Sequence, residues 1–196
     1  MKNKFSLLFL ILTASVIQFI FSGCAHKLSS EVSTLPGDVK IIQIPLFIND
    51  SGEVGAETAF TNSLKTEALR SKFVQLKNEV RDVEAILQGR IRSIEVIAEE
   101  SIIEAKNTKY LPKETVLATR YRVVASVGLS LTKKGSTEVL WSGDFQQTTN
   151  YLAPQITLPV VNTANALYNQ SIKRQTLDKL SKEMMQAAFD RMIERF

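Results

Sequence analysis

Polar and apolar residues alternate through the middle of the chain with the period of two that is typical of β-strands. In the region 85–103 the apolar positions are first odd-numbered and then even-numbered, namely Leu87, Gly89, Ile91, Ile94 and Val96. Because a β-bulge adds one residue to a strand, this change of phase predicts a strand with a bulge near Ser93.

The most regular alternation follows at residues 120–131. One face would carry Tyr121, Val123, Ala125, Val127, Leu129 and Leu131, and the other Arg120, Arg122, Val124, Ser126, Gly128 and Ser130. The sequence Lys133-Lys134-Gly135-Ser136 then predicts a tight turn. Alternation resumes with Val139, Trp141, Gly143 and Phe145, which predicts an antiparallel hairpin with Trp141 in the core.

Two other regions show the period of an amphipathic helix. The first, Ala56–Phe73, would bury one stripe of residues, namely Phe60, Leu64 and Ala68, with Leu69 and Phe73 alongside. The second, from Asn165 to Arg195, would bury Leu177, Leu180, Met184 and Ala188. Its methionines, Met184, Met185 and Met192, are expected to fill the core.

The run Val39–Phe47 predicts the first strand. It is apolar on both faces, so we expect it to be buried on both, and Pro45 indicates an edge position or a bulge. The predicted element order is therefore β-α-β-β-β-α. Four strands and two helices predict an α+β fold, a two-layer sandwich in which both helices cover one face of a mostly antiparallel four-stranded sheet.

The N-terminal segment carries the pattern of an exported protein. Lys2 and Lys4 precede the uncharged, largely apolar run Phe5–Phe21, and small residues follow it. Seventeen apolar residues lie at the short end of the roughly 17–25 that a membrane-spanning helix needs, so length alone leaves a transmembrane helix open. The positive start and the small residues before Cys24 favour a secretory signal peptide.

Phe21-Ser22-Gly23-Cys24 resembles the lipobox of bacterial lipoproteins, with Phe21 where that motif usually has Leu. The resemblance implies cleavage before Cys24, acylation of Cys24, and, with Ala25 next to it, sorting to the outer membrane. We therefore expect a signal peptide over residues 1–23, a lipidated tether over residues 24–38 that ends in Pro36-Gly37, and one folded domain over residues 39–196.

The inventory of reactive residues argues against an enzyme. Cys24 is the single cysteine and His26 the single histidine, and both lie in the expected tether. No catalytic or metal-binding motif stands out, so we expect no metal site and no cofactor. Lys2 and Lys4, in the leader, supply half of the formal net charge of +4, so the chain has no basic character that would suit nucleic acid.

The polar faces of two predicted strands carry four arginines. Arg90, Arg92, Arg120 and Arg122 would share the face of the sheet that no helix covers. Together they would form a positive surface suited to phosphates or carboxylates. The alternative is a solvated face with local ion pairs, for example to Glu95 or Asp144.

Several segments together resemble the LptE family of lipopolysaccharide-assembly lipoproteins. They are the lipobox, KIIQIPLFINDSGEVGAETAFTNSLKTEAL, AILQGRI, ATRYRVVASVGLSL, VLWSGDF and the terminal amphipathic helix. The run Ile44–Thr61, with its I-P-x-F-x-N-x-S-x-x-x-G-x-E-x-x-F-T pattern, carries most weight. The resemblance implies two helices on a four-stranded sheet, as the periodicity does independently.

The resemblance also implies partners. Such proteins plug the LptD β-barrel of the outer membrane, assist its assembly, and help lipopolysaccharide to reach the cell surface. Basic residues in loops at the end of the sheet are expected to contact lipopolysaccharide, and the loop 104–115 supplies Lys106, Lys109 and Lys113. The alternative is an auxiliary lipoprotein of a lipid-transport ABC system or of a peptidoglycan synthase.

Overall fold

The computed structural model describes residues 34–102, 117–152 and 166–194. The strands run over Ile41–Gln43 (β1), Ile48–Asn49 (β2), Gln75–Leu76 (β3), Ala85–Ile102 (β4), Leu117–Lys133 (β5) and Val139–Leu152 (β6). The helices run over Ala56–Arg70 (α1) and Ala166–Ile193 (α2), and short 3₁₀ turns lie at Pro36–Asp38 and Val80–Asp82.

The sheet is mixed and has six strands in the described ranges, in the order β3-β1-β4-β5-β6, with β2 also paired to β4. The three long strands β4, β5 and β6 are antiparallel neighbours. By contrast, β1 lies parallel to both β3 and β4, and β2 lies parallel to β4. The α+β class and the two helices are confirmed, whereas the prediction of four mostly antiparallel strands is wrong in detail.

Two local features account for the additional strands. The predicted strand Val39–Phe47 is interrupted at residues 44–47 and continues as β2, because Pro45 has no N–H to donate to a ladder. The short strand β3 follows α1 and returns beside β1, and such a crossover makes the two strands parallel. Two residues of β3 carry no recognisable periodicity in the sequence.

The predicted bulge in β4 is confirmed. Ile91 pairs with Val127 and Ser93 pairs with Ser126, so Arg92 is the additional residue. Two further shifts of register follow between Ala98 and Ser101, which the alternation did not predict. The predicted hairpin is also confirmed. The strands β5 and β6 pair in antiparallel fashion, from the pair Arg120–Leu152 to the pair Thr132–Val139 beside the turn.

The core lies between the helices and one face of the sheet. The buried residues of the long strands are Ala85, Leu87, Ile91, Val123, Ala125, Val127, Leu129 and Leu131. The helices bury against them Phe60, Leu64, Ala68, Leu177, Leu180, Met184, Met185, Ala188, Phe189 and Met192. The predicted stripes and the core role of the methionines are therefore confirmed, and Trp141 packs against the core while remaining partly exposed.

Two expectations about apolar residues are wrong. Leu69 was expected beside the buried stripe of α1, but its side chain is 63% exposed. The run Val39–Phe47 was expected to be buried on both faces, but Leu46 is 61% exposed. Neither of the two described helices covers the second face of the sheet.

The close contact between Gly89 and the ring of Phe47 leads to a prediction about stability. A Cβ atom at this position would overlap the ring of Phe47, which is buried over the strand. We expect Gly89→Ala to lower the free energy of unfolding by about 1–3 kcal/mol, as overpacking of a core usually does. Urea unfolding followed by circular dichroism measures this.

The matched control is Gly52→Ala. A Cβ at Gly52 would have nothing within 4 Å, so we expect a change within about 0.5 kcal/mol. Equal destabilisation by both substitutions would contradict a steric role for Gly89.

Candidate functional site

The motif Ile44–Thr61 folds into the junction between β2 and α1. The side chain of Asn49 organises the loop, because its Oδ1 accepts hydrogen bonds from Ser51 N at 3.0 Å and Ser51 Oγ at 2.6 Å. Its Nδ2 donates to the backbone oxygen of Glu53 at 2.9 Å and to Glu57 Oε2 at 2.8 Å. One amide thus connects the turn to the first turn of α1.

Hydrogen bonds at the same junction attach α1 to the sheet. The backbone N–H of Phe47 donates to Thr61 Oγ1 at 3.0 Å, and this hydroxyl donates to the backbone oxygen of Glu57 at 2.6 Å. Gly55, with a φ of 90°, precedes α1 in a left-handed conformation that glycine adopts readily. These motif residues therefore build the fold at the junction between β2 and α1.

An ion pair connects this junction to the second helix. Lys173 Nζ in α2 lies 2.5 Å from Glu53 Oε2, and both side chains are largely covered. Nearby, the rings of Tyr121 and Tyr151 stack with centroids 5.2 Å apart. Burial raises the pKa of Tyr151, and the neighbouring Tyr121 and Glu53 add to the rise. The sequence pattern gave no signal for this cluster, because its members are distant in the chain.

The uncovered face of the sheet holds a shallow depression of about 430 Å³ between β2, β4, β5 and β6. Its rim includes both arginines of β4. Arg90 Nη1 lies 2.7 Å from Asp50 Oδ2, and Arg92 Nη2 lies 2.5 Å from Asp144 Oδ1. The floor is open because Gly128 has no side chain: a Cβ there would lie 3.0 Å from Arg92 Nη2.

The four arginines do not form one patch. On β5, Gly128 pairs with Arg90, whereas Arg122 pairs with Ile97, and six residues along a strand span about 20 Å. Arg122 Nε lies 3.2 Å from Glu99 Oε1, with an alignment that does not make a hydrogen bond. Arg120 lies two residues further along β5, opposite Leu152 of β6.

Local ion pairing therefore describes this face better than a uniform positive surface. Asp144, one of the two acids named from the sequence, pairs with Arg92, and Arg122 meets Glu99 rather than Glu95. Asp50 was missed, because a residue in a turn after a short strand has no periodicity that places it beside Arg90.

Other predicted site residues lie outside the described ranges. These are the lipid-attachment residue Cys24 and the loop lysines Lys106, Lys109 and Lys113. Across residues 34–102, 117–152 and 166–194, no group of three or more histidine, cysteine or acidic side chains is arranged to hold a metal. Within the same stretches no helix has both the length and the apolar character to cross a membrane.

The Asn49 junction predicts a dependence of stability on pH. Hydrogen bonds from the backbone N–H of Glu57 and from Asn49 hold the pKa of Glu57 below its usual 4.5. A depressed folded-state pKa contributes stability above the unfolded value, and that contribution is lost as pH falls through the folded pKa. We therefore expect Glu57→Gln to be less stable than wild type at pH 7 and to lose less stability between pH 5 and pH 3.

Urea unfolding at several pH values measures this difference. Glu95→Gln, at an exposed position on the sheet, is the control and should keep the wild-type profile. A Glu57→Gln profile parallel to that of wild type would contradict the linkage.

Several solved structures of bacterial proteins are distantly similar to this chain. The PelC dodecamer from Paraburkholderia phytofirmans has a chain that is 10% identical, with 83% of this chain and 93% of that chain covered and a TM-score of 0.46. A putative lipoprotein from Caulobacter crescentus CB15 is 9% identical, with 78% and 87% covered and a TM-score of 0.46. The rare lipoprotein B from Shewanella oneidensis is 15% identical, with 76% and 92% covered and a TM-score of 0.43.

No curated protein matches the chain. The model of the LptE family, described as Lipopolysaccharide-assembly, matches residues 39–196, which include the whole β2–α1 junction and both helices. The chain therefore belongs to the LptE family of lipopolysaccharide-assembly lipoproteins.

Proposed function

We propose that this chain is an outer-membrane lipoprotein that plugs an LptD-like β-barrel, assists its assembly, and supports passage of lipopolysaccharide to the cell surface. The family match over residues 39–196 carries the proposal. In this proposal the protein acts by filling the barrel and binding its partners, without catalysis.

The surface of the domain suits a polar lumen. The uncovered sheet face presents Gln88, Ser130 and Ser142 around the arginine ion pairs. The helical layer presents ion pairs such as Lys182–Asp178 and Lys179–Glu183. Because the interior of a large outer-membrane barrel is polar, a domain with polar groups on both outer layers can fill it without burying unpaired charge.

Acylation of Cys24 would hold the plug at the periplasmic side of the membrane. Each buried methylene contributes about 0.8 kcal/mol, and two acyl chains give stable anchoring. Residues 34–38 pack on the domain, with Leu35 buried, so the tether is shorter than expected from the sequence. Residues 24–33 would extend to about 33 Å at roughly 3.3 Å per residue, a reach that would let the domain enter a barrel.

The arginine pairs on the uncovered face suit exchange with the phosphates of lipopolysaccharide. The side chains of Arg92 and Asp144 are 51% and 67% exposed, and pairs so exposed contribute little to stability. Opening such a pair therefore costs little, while the guanidinium group can bind a phosphate through two hydrogen bonds. Arg90, Arg120 and Arg122 would act in the same way, together with Lys106, Lys109 and Lys113.

Purification of the full lipidated chain from outer membranes tests the central proposal. We expect an LptD-like barrel to co-purify in a stable complex, and depletion of the chain to leave lipopolysaccharide in the periplasm. Normal barrel assembly in its absence would overturn the proposal. Capture of an ABC-transporter subunit or of a peptidoglycan synthase instead would favour the alternative class of partner.

The ion pair predicts opposite effects of two substitutions on binding to lipopolysaccharide. Arg92→Gln removes a phosphate ligand, so we expect weaker binding by roughly tenfold, the value of about one charge-assisted hydrogen bond. Asp144→Asn removes the competing carboxylate, so we expect tighter binding. Binding to immobilised lipopolysaccharide measures both.

Arg70→Gln, on the helical layer where Arg70 pairs with Glu67, is the matched control and should bind as wild type does. Weaker binding by the Asp144→Asn variant would show that the pair itself, rather than the free arginine, is the recognised feature.

A further inference from the structure

The strand β6 ends the sheet with a long open edge. In the part of the chain that the structure describes, no strand pairs with its outer side. Proteins usually protect such edges with charged residues, prolines or bulges. From Phe145 to Leu152 the strand has no charged residue and no proline, and its pairing with β5 is regular from Trp141 onward.

The apolar side chains of β6 are incompletely covered. On the helix-facing side, Trp141 and Phe145 are only partly buried, although Leu131 and Val127, directly opposite them on β5, are fully buried. A further strand beside β6 would cover them as β6 covers β5. The helix α2 and the turn Pro36–Asp38 contact β6 on this side, so its cover is partial, whereas no described strand pairs with its outer backbone.

Two exposed residues mark the ends of the strand. Val139 is 56% exposed and Leu152 is 65% exposed. Both lie on the uncovered face of the sheet, in register with Thr132 and Arg120 of β5. In an antiparallel pair of identical strands, the beginning of one strand meets the end of the other, so these residues would cover each other.

We propose that β6 pairs with β6 of a second copy of this chain, antiparallel, about a two-fold axis at Gln146. Trp141 of each copy then lies opposite Tyr151 of the other, and Leu152 of each lies beside Val139. Opposite aromatic side chains stabilise an antiparallel pair. The two copies form one continuous sheet.

Charge is compatible with this register. Asp144 is the single charged residue of β6, and it lies opposite Thr148 rather than opposite its own copy. No like charges meet across the pair, which is the usual obstacle to self-pairing of an edge.

This inference goes beyond the proposed function. It concerns the lipoprotein outside any barrel, where the open edge would otherwise meet solvent or a foreign strand. It stands on the strand β6 alone and does not depend on the identity of the barrel or on lipopolysaccharide binding.

Disulfide crosslinking of the full lipidated chain in detergent tests the register. In the proposed pair the Cα atoms at position 146 of the two copies lie about 5 Å apart, within disulfide range. Those at position 148 lie about 14 Å apart, because they are offset by four residues. We expect Gln146→Cys to form a dimer that reductant dissolves, and Thr148→Cys to form no more than wild type, whose single cysteine, Cys24, has no free thiol once it is acylated.

Sedimentation of the full chain tests the association itself. We expect a reversible dimer, and about tenfold weaker association for Gln146→Lys, which places like charges opposite each other at the axis. Gln186→Lys, at an exposed position on α2, is the matched control and should associate as wild type does. A wild-type chain that stays monomeric up to about 0.1 mM, or equal crosslinking at positions 146 and 148, would overturn the proposal.

Discussion

The packing of Phe47 over Gly89 determines how the first third of the domain is attached to the long strands. The ring occupies the space that a side chain at position 89 would need, so the segment between β1 and β2 can lie against β4. The strand break at Pro45 frees the N–H of Phe47, and the hydroxyl of Thr61 accepts it. A buried backbone donor is thereby satisfied at the point where the ladder stops.

This attachment also connects the two layers. Once Phe47 is seated, β2 pairs with β4 and places Asn49 beside α1 and Asp50 beside Arg90. The hydroxyl of Thr61 and the side-chain amide of Asn49 thus connect α1 to the sheet. The carboxylate of Asp50 lies on the uncovered face, beside Arg90. Structure and candidate site are coupled here, because a change that displaced Phe47 would also displace the partner of Arg90.

The sheet has two faces of different character, and the proposed functions divide between them and the open edge. The buried face is continuous and apolar, and it holds the helices. The uncovered face carries separated arginine–carboxylate pairs that are largely solvated and therefore contribute little to stability. The edge strand β6 has no charged residue from Phe145 to Leu152. A partner would therefore meet the hydrogen-bonding groups of its backbone rather than charged side chains.

The sequence by itself determined the long elements of this protein. Alternation over β4, β5 and β6 predicted which side chains face the helices, and its change of phase predicted the bulge before Ser93. Helical spacing predicted that Phe60, Leu64 and Leu180 lie in the core. Both patterns arise because burial of one face imposes a period on the side chains. The motif at Ile44–Thr61 indicated the family. Lipidation of Cys24 and the roles of Lys106, Lys109 and Lys113 stay predictions.

Only the tertiary structure decided what joins elements that are distant in the chain. It placed β1 and β3 in parallel, set Asp50 and Asp144 beside the arginines, joined Glu53 to Lys173, and left Leu69 exposed. These outcomes depend on register and on the docking of separate segments. A local period of two or 3.6 residues reports which way a side chain points from its own element, and it holds no information about the neighbour that the side chain meets.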